Sequence, residues 1–398
     1  MTIHDLNDFL NKKMIRSRTR EIPLKQFSGQ RMAFDGSNWA FILMAGANKA
    51  VTSVTNVAAQ EPDRDAIIRK WHYMFLERIC ILLNHGITPG FIFDGINLPQ
   101  KANTQKKRKD SKEDAKREIK ELKKKLKECS PLDRSPIDIA RLKQLMSQIN
   151  YISRKEISSL MSLLKGIGIP TFKAKGEAEQ LCSALAREGM VSAVFSEDSD
   201  NLAYGCPILI TSMAESYYDE EEKRYYKMAT CVVLDEILED LEMDHDTFLD
   251  FCIMCGCDFN ERIFRHGPVK AFNYIKQYGS LDELEKAKIV DMTCLDYQTC
   301  RQIFSHCKPQ YWDEENDEMV NLIPEDLVVD KGLFYRQGEE ILTSYDAEDY
   351  YRRFYSIYNN LPDPNRSIYV PPRRKVIRIR RKQVEEDTRG EEVTTDEE

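Results

Sequence analysis

No apolar run in this chain approaches the roughly 20 residues that a helix needs to cross a bilayer, and the amino terminus MTIHDLNDFLNKKMIRSRTR lacks the apolar core of a signal peptide. A soluble protein, not exported by that route, is expected. Paired C-x-x-C spacing is missing too, and eleven cysteines, an odd number, are scattered through strand-like and helical sequence. They fit free thiols in a reducing compartment better than a disulfide frame. CIMCGC and CLDYQTCRQIFSHC could be taken as two halves of a zinc site, but both sit in helical, apolar sequence without the spacing of a zinc ribbon. Histidine is sparse, six in 398 residues, and His85, His245 and His266 stand apart from any serine or cysteine nucleophile pattern.

An overall excess of positive charge is also lacking. The formal net charge of −8 taken alone argues against a nucleic-acid partner. Its distribution reverses that inference. Between Lys101 and Glu128 thirteen Lys/Arg face six Asp/Glu, and RRKVIRIRRK from Arg373 to Lys382 holds no acid at all. The acid is gathered elsewhere, notably in the ending EEDTRGEEVTTDEE, where a polar, disordered tail is expected.

What the chain does contain is an alternation of strand and helix. RMAF (31–34), GFIF (90–93), VSAVF (191–195) and PILIT (207–211) are short apolar runs of the kind that form buried strands. Long segments of helical spacing separate them, such as DRDAIIRKWHYMFLERICILLNHG, which ends in the glycine expected of a helix terminus. The alternation predicts an α/β fold with a mostly parallel sheet, followed by a hairpin at its edge after Pro207.

Acids follow these strands. Asp35 comes after RMAF, Asp94 after GFIF, and Asp198 and Asp200 after VSAVF, at the sheet edge where open parallel sheets bind ligands. In an extended segment Asp198 and Asp200 would project to the same side. Glu177 and Glu179 open the helix EAEQLCSALARE, where the helix dipole by itself would favour them, and Asp258 follows the apolar helix FLDFCIMCGC. Seven clustered carboxylates repel one another unless a cation sits among them. Oxygen donors of this kind suit Mg²⁺, and two ions about 4 Å apart would serve an in-line displacement at phosphorus. Two Mg²⁺ ions are therefore expected, with Mn²⁺ as a substitute.

Two narrowly amphipathic helices join through SPLDRSP. The first carries Ala115, Ile119, Leu122 and Leu126, and the second Ile139, Leu142, Leu145 or Met146, and Ile149. They predict a projecting antiparallel pair; the bland alternative is a solvated charged face with no partner. Further on, Gly267 and Pro268 open a helix that carries Lys270, a combination that leaves N–H groups free for phosphate.

The order FDGS at Asp35, FDG at Asp94, GEAEQLC and SEDSD at 176–200, and CGCDF at Asp258 resembles the XPG superfamily of structure-specific 5′-nucleases, and most closely the flap endonucleases. The resemblance implies a PIN-like sheet flanked by helices, with a helical arch and a helix-hairpin-helix-like segment for duplex DNA. It implies that Asp35, Asp94, Glu177 and Glu179 hold one metal and that Asp198, Asp200 and Asp258 stand at the second. Lys101 and Arg108 match the family's basic pair and would be catalytic. Phe41 matches an aromatic on which a base stacks, although a core phenylalanine is the equal alternative. Lys106, Lys107 and Lys109 would line the inner face of the arch as DNA contacts, together with Gly267 and Lys270 beyond it.

The expected division is 1–100 and 166–258 for the acidic motifs, 101–165 for the arch, 259–365 for helical duplex binding and 366–398 for the tail. The expected activity is Mg²⁺-dependent 5′-flap endonuclease or 5′–3′ exonuclease cleavage of branched or 5′-ended DNA, by a monomer without a sliding-clamp peptide or a membrane partner. A non-catalytic junction-binding scaffold and a ribonuclease are the alternatives. The basic run at Arg373 resembles a nuclear localisation signal, or else a flexible phosphate-binding arm; a nuclear protein is expected, or one at a viral replication site. Two departures stand out: Thr2 where the family has glycine, and Arg265-His266 where its turn has Gly-Ile.

Overall fold

Apolar stretches too short for helices, and covered on both sides, become the strands of one sheet. The computed structural model describes residues 3–14, 17–96, 98–130, 133–213, 216–364, 369 and 371–372. Thr2 and everything from Arg373 onward, including the basic run and the acidic ending, lie outside the described residues. In chain order the strands are β1 (Arg20–Pro23), β2 (Arg31–Asp35), β3 (Thr88–Phe93), β4 (Thr171–Lys173), β5 (Ala193–Phe195), β6 (Ile208–Ser212), β7 (Ser216–Asp219) and β8 (Arg224–Val233). They lie in the order β1-β8-β6-β5-β2-β3-β4, with β7 paired to β8.

The stretch β6-β5-β2-β3-β4 is parallel throughout. Every residue of β2, β3 and β5 is buried. Alternate side chains serve two cores: Met32 and Phe34 join Trp39 and Phe91 on one side, and Ala33 joins Ile92 and Val194 on the other. From β2 the chain winds outward to β3 and β4, then returns to β5 on β2's other side and winds away to β6. The direction of winding therefore reverses between the neighbours β2 and β5, which opens a crevice at their carboxyl ends.

Three features differ from the sequence-based expectation. REIP and TFK, which have no continuous apolar run, form β1 and β4 because neighbouring strands offer them partners. The hairpin β7–β8 exists, but β8 is not an edge strand. Its second half, MATCVV, buries Ala229, Cys231 and Val232 and inserts between β6 and β1. The region 259–365 is not wholly helical either: β9 (Gln310–Asp313) and β10 (Glu318–Asn321) form a separate antiparallel hairpin.

The charged segment forms a helix, Ala102–Glu128, that returns through Pro136–Gln148. Leu126 and Leu142 are buried with Val57, flanked by Ile119, Leu122, Ile139 and Met146, so the narrow seam has a partner. The returning helix is also tied down. The Asn48 side-chain amide on the helix Gly36–Val54 donates to the Met146 carbonyl and to Asn150 Oδ1, both at 3.1 Å. Removing buried methylenes from such a seam costs about 2–5 kcal/mol. Leu142→Ala should accelerate hydrogen exchange across 102–148 while β2 and β5 stay protected. Unchanged exchange there would show that the pair is held by other contacts.

Candidate metal centre

Each acid is placed by a local backbone device. Asp35 ends β2 and caps the helix Gly36–Val54, accepting the Asn38 N–H at 2.8 Å. The next residue has to be small: a Cβ on Gly36 would lie 2.8 Å from Phe93 Cζ and 2.9 Å from the Ile92 carbonyl oxygen. Asp94 leaves β3 with its N–H donated to Ser37 Oγ at 2.9 Å, and its carboxylate accepts the Ala178 N–H at 2.8 Å. That bond joins the end of β3 to the helix Ala178–Arg187, which Glu177 precedes and Glu179 enters in its first turn. Gly95 passes so close to the facing chain that a Cβ would lie 2.1 Å from the Ala174 carbonyl oxygen. Asp258 follows the helix His245–Cys255, and Thr104 Oγ1 donates to its carbonyl at 3.2 Å.

Asp198 and Asp200 do not share an extended segment. The Asp198 carboxylate accepts the Asp200 N–H at 3.1 Å, which turns the chain so that Asp200 begins the short helix Asp200–Ala203. The two acids still meet. Carboxylate oxygens of Glu179, Asp198 and Asp200 all lie within 4.8 Å of one another. Asp35 feels the charge of Asp94, Asp198 and Glu177, Glu177 that of Asp94 and Asp258, Glu179 that of Asp198, Asp35 and Asp200, and Asp200 that of Asp198 and Asp258, so the seven acids act on one another electrostatically.

The electrostatics are those of crowding. Burial, and then the charge of Asp94, lifts the Asp35 carboxyl to about 8. Burial and neighbouring carboxylates raise Glu179 and Asp200 well above the usual range. Glu177 is raised by burial, against the opposing pull of Lys101. Lys101 Nζ lies 2.5 Å from Glu177 Oε2 and 3.6 Å from Asp258 Oδ2, over the ring of Phe259. Burial disfavours the Lys101 ammonium, but Glu177 and Glu179 outweigh that and hold it above its ordinary value. One lysine does not balance seven carboxylates. Asp200 Oδ1 and the Tyr204 hydroxyl are buried without a hydrogen-bond partner, and an all-oxygen donor set with an unsatisfied carboxylate oxygen fits a hard divalent cation.

Among the described residues the remaining sequence candidates make no recorded contact with these acids. Phe41 is 50% exposed, so it is not a core residue. Lys106, Lys107 and Lys109 are exposed in the first turns of Ala102–Glu128, with Lys107 paired to Glu261 at 2.9 Å. Arg108 belongs to the same helix, but its side chain lies outside the described residues. Gly267 caps the helix Pro268–Tyr278 in open space, and Lys270 is exposed on it. Arg265 takes φ +60, a left-handed conformation that costs a non-glycine residue about 1–2 kcal/mol. The turn therefore keeps glycine-like geometry without glycine. Ser37, Thr104, Phe259 and Tyr204 were not visible from spacing; Ser37 and Phe259 had a signal, their places in FDGS and CGCDF.

A parallel sheet that gathers acids at its winding reversal, beside a helical pair, is the XPG class of fold. Residues 1–115 match the XPG N-terminal domain and residues 168–258 the XPG I-region. The chain is 30% identical over 293 residues to Flap endonuclease 1 of Micromonas commoda, covering 72% of this chain and 70% of that one. It belongs to the flap endonuclease family. Flap endonuclease 1 of Theileria parva is 29% identical over 329 residues, 82% of this chain, and the chain spans 61% of that relative's length. The structure of flap endonuclease-1 from Methanococcus jannaschii shares the fold, with a TM-score of 0.53 at 22% identity over 86% of this chain and 96% of that one.

Raised carboxyl pKa values imply a definite pH dependence. Asp35 titrates at 3.8 when unfolded and at about 8 when folded, so between those values the folded state holds a proton that the unfolded state has released. Stability present at low pH is lost as pH rises through about 8. Thermal melts in EDTA should show Tm falling from pH 5.5 to pH 9, and Asp35→Asn should flatten the slope. Added Mg²⁺ or Mn²⁺ should raise Tm more at pH 8 than at pH 5.5. A Tm that climbs with pH in EDTA would contradict this electrostatic account.

Proposed function

We propose that this chain is a divalent-metal-dependent, structure-specific 5′-nuclease that cleaves branched or 5′-ended DNA as a flap endonuclease, a 5′–3′ exonuclease or both. The observation that carries the reading is the meeting of seven carboxylates and Lys101 at the one sheet edge where the winding reverses. Membership in the flap endonuclease family supports it, as does the name that the relatives carry.

In this reading Asp35, Asp94, Glu177 and Glu179 hold one Mg²⁺, and Asp198, Asp200 and Asp258 stand at a second, with Mn²⁺ able to substitute. Bound there, the metal supplies Lewis acidity that polarises a phosphoryl oxygen and lowers the pKa of water. The carboxylates position the phosphodiester indirectly, since they repel it until their charge is balanced. Lys101 exchanges its contact with Glu177 for a phosphate oxygen and stabilises the charge that develops there, with Arg108 as its partner. The helical pair 101–165 receives the free 5′ strand along Lys106, Lys107 and Lys109. Phe41 stacks a base, and Gly267 and Lys270 hold a duplex phosphate. The basic run at Arg373–Lys382 directs the protein to the nucleus, and the chain acts as a monomer.

The test is incubation with 5′-flap DNA, single-stranded DNA and RNA, in Mg²⁺ and in EDTA. Cleavage of flap DNA in Mg²⁺ alone is expected, and Asp198→Ala or Glu177→Ala should abolish it while DNA binding persists. Preference for RNA would replace the reading with a ribonuclease. Binding to a junction without cleavage would replace it with a scaffold. Lys101→Ala should lower the single-turnover rate about 100-fold, by analogy with loss of one transition-state donor, with flap affinity nearly unchanged. An equal loss in binding would make Lys101 a general phosphate contact.

A further inference from the structure

At the sheet edge opposite the metal centre, β8 runs into the helix Leu234–Leu241, whose first N–H donates to the Pro207 carbonyl at 3.0 Å, just ahead of β6. The helix reads LDEILEDL, four acids and no base. Asp235 and Glu239 lie one turn apart, as do Glu236 and Asp240, and like charges at that spacing destabilise a helix unless cations sit among them. The acids cannot turn away, because Leu234, Ile237 and Leu241 are buried and fix the helix face; Asp235 and Glu239 are exposed.

One cation is already in place. Arg20 Nη1 lies 3.3 Å from Glu236 Oε1 and donates to the Pro372 carbonyl at 3.0 Å. Arg20 Nε and Nη2 are buried without a hydrogen-bond acceptor among the described residues. Buried guanidinium N–H groups call for carbonyl oxygens, and a chain continuing past Pro372 brings them. Space lies beside it, since Arg20 belongs to β1, the outermost strand, which among the described residues pairs with β8 alone. Tyr369 fixes the approach, with its ring 5.0 Å from that of Phe27 and its N–H donated to Gln30 Oε1 at 3.1 Å. The next ten residues, RRKVIRIRRK from Arg373 to Lys382, hold seven cations and no acid. Extended, they span about 33 Å, whereas eight helical residues measure about 12 Å. The run therefore reaches every acid of the helix.

We infer that the segment Arg373–Lys382 is an intramolecular ligand of this acidic face, docking along the helix Leu234–Leu241 from its anchor at Arg20. Docked there, its cations meet carboxylates at the edge of the sheet remote from the metal centre. The run is then withheld from phosphate, and from any receptor that reads it as a targeting signal, until salt or a stronger polyanion displaces it. Trypsin digestion of the full chain tests this, because cleavage follows the population of the open form. At low salt the bonds within 373–382 should be cut about tenfold more slowly than in a free peptide of the same sequence. Asp235→Lys/Glu239→Lys should restore the free-peptide rate with Tm unchanged, and so should about 0.5 M salt, which screens the ion pairs. In a second measurement a labelled RRKVIRIRRK peptide is added to the full chain. It should bind the variant Arg378→Glu/Arg380→Glu, whose own run is repelled from the face, at least about tenfold more tightly than the parent, whose face is occupied. Adding Asp235→Lys/Glu239→Lys to that variant should abolish the binding.

Free-peptide cleavage rates in the parent would overturn the inference. Protection that survives Asp235→Lys/Glu239→Lys would also overturn it, and would pair the cations with the acidic ending at Glu385–Glu398 instead. Protection that grows with protein concentration would place the run on a second copy and sink the intramolecular docking. The inference goes beyond the nuclease reading, and the two fail separately. Neither measurement contains metal or nucleic acid, so a chain that cuts no flap in Mg²⁺ leaves this docking standing, and a chain that cuts flaps does not rescue an undocked run.

Discussion

Mutual repulsion among carboxylates gathered at one end of a parallel sheet is the constraint to which the rest of the structure answers. Left in water these acids would separate; here the backbone prevents it, since six of the seven end or follow a buried strand or sit at the start of a helix and Asp258 follows the buried helix His245–Cys255. Burial and crowding together lift Asp35 to about 8 and push Glu179 and Asp200 well upward. Lys101 offsets part of the charge through Glu177 and Asp258. The imbalance that remains is the physical reason to place divalent cations in the crevice.

Holding such a group together requires a scaffold that does not yield. The sheet has a core on each face, and β2 contributes alternate side chains to both. Shifting β2 by one residue would exchange its two faces, so the position of Asp35 is coupled to the packing of Met32, Ala33 and Phe34. Close approach does the rest. Gly36 and Gly95 stand where the chain runs against Phe93 and against Ala174, and the Ala178 N–H holds Asp94 against the neighbouring helix.

The surroundings of the crevice are built differently. The helical pair is charged along most of its surface and is held by a thin apolar seam around Leu126 and Leu142, with the returning helix tied to Asn48. The turn at 261–267 keeps a left-handed backbone with arginine in place of glycine and presents Phe264 outward. Membership in the flap endonuclease family accounts for the acids.

The strands carrying Asp35, Asp94 and Asp198 were legible because a strand buried on both faces must be a continuous apolar run, and acids at its end are conspicuous. The family was legible for the same reason, through FDGS, FDG and SEDSD. β1, β4 and the inner half of β8 were not, since their strand character comes from the partners beside them. Nor could spacing decide between a core and an exposed Phe41, or show that Asp198 would fold the chain back onto the Asp200 N–H. The sequence by itself determined which residues bear charge and which runs must be buried, because both are properties of side chains. Only the tertiary structure decided which acids meet, that Lys101 lies between Glu177 and Asp258, and that Phe264 faces water, because each depends on segments far apart in the chain being brought to one place.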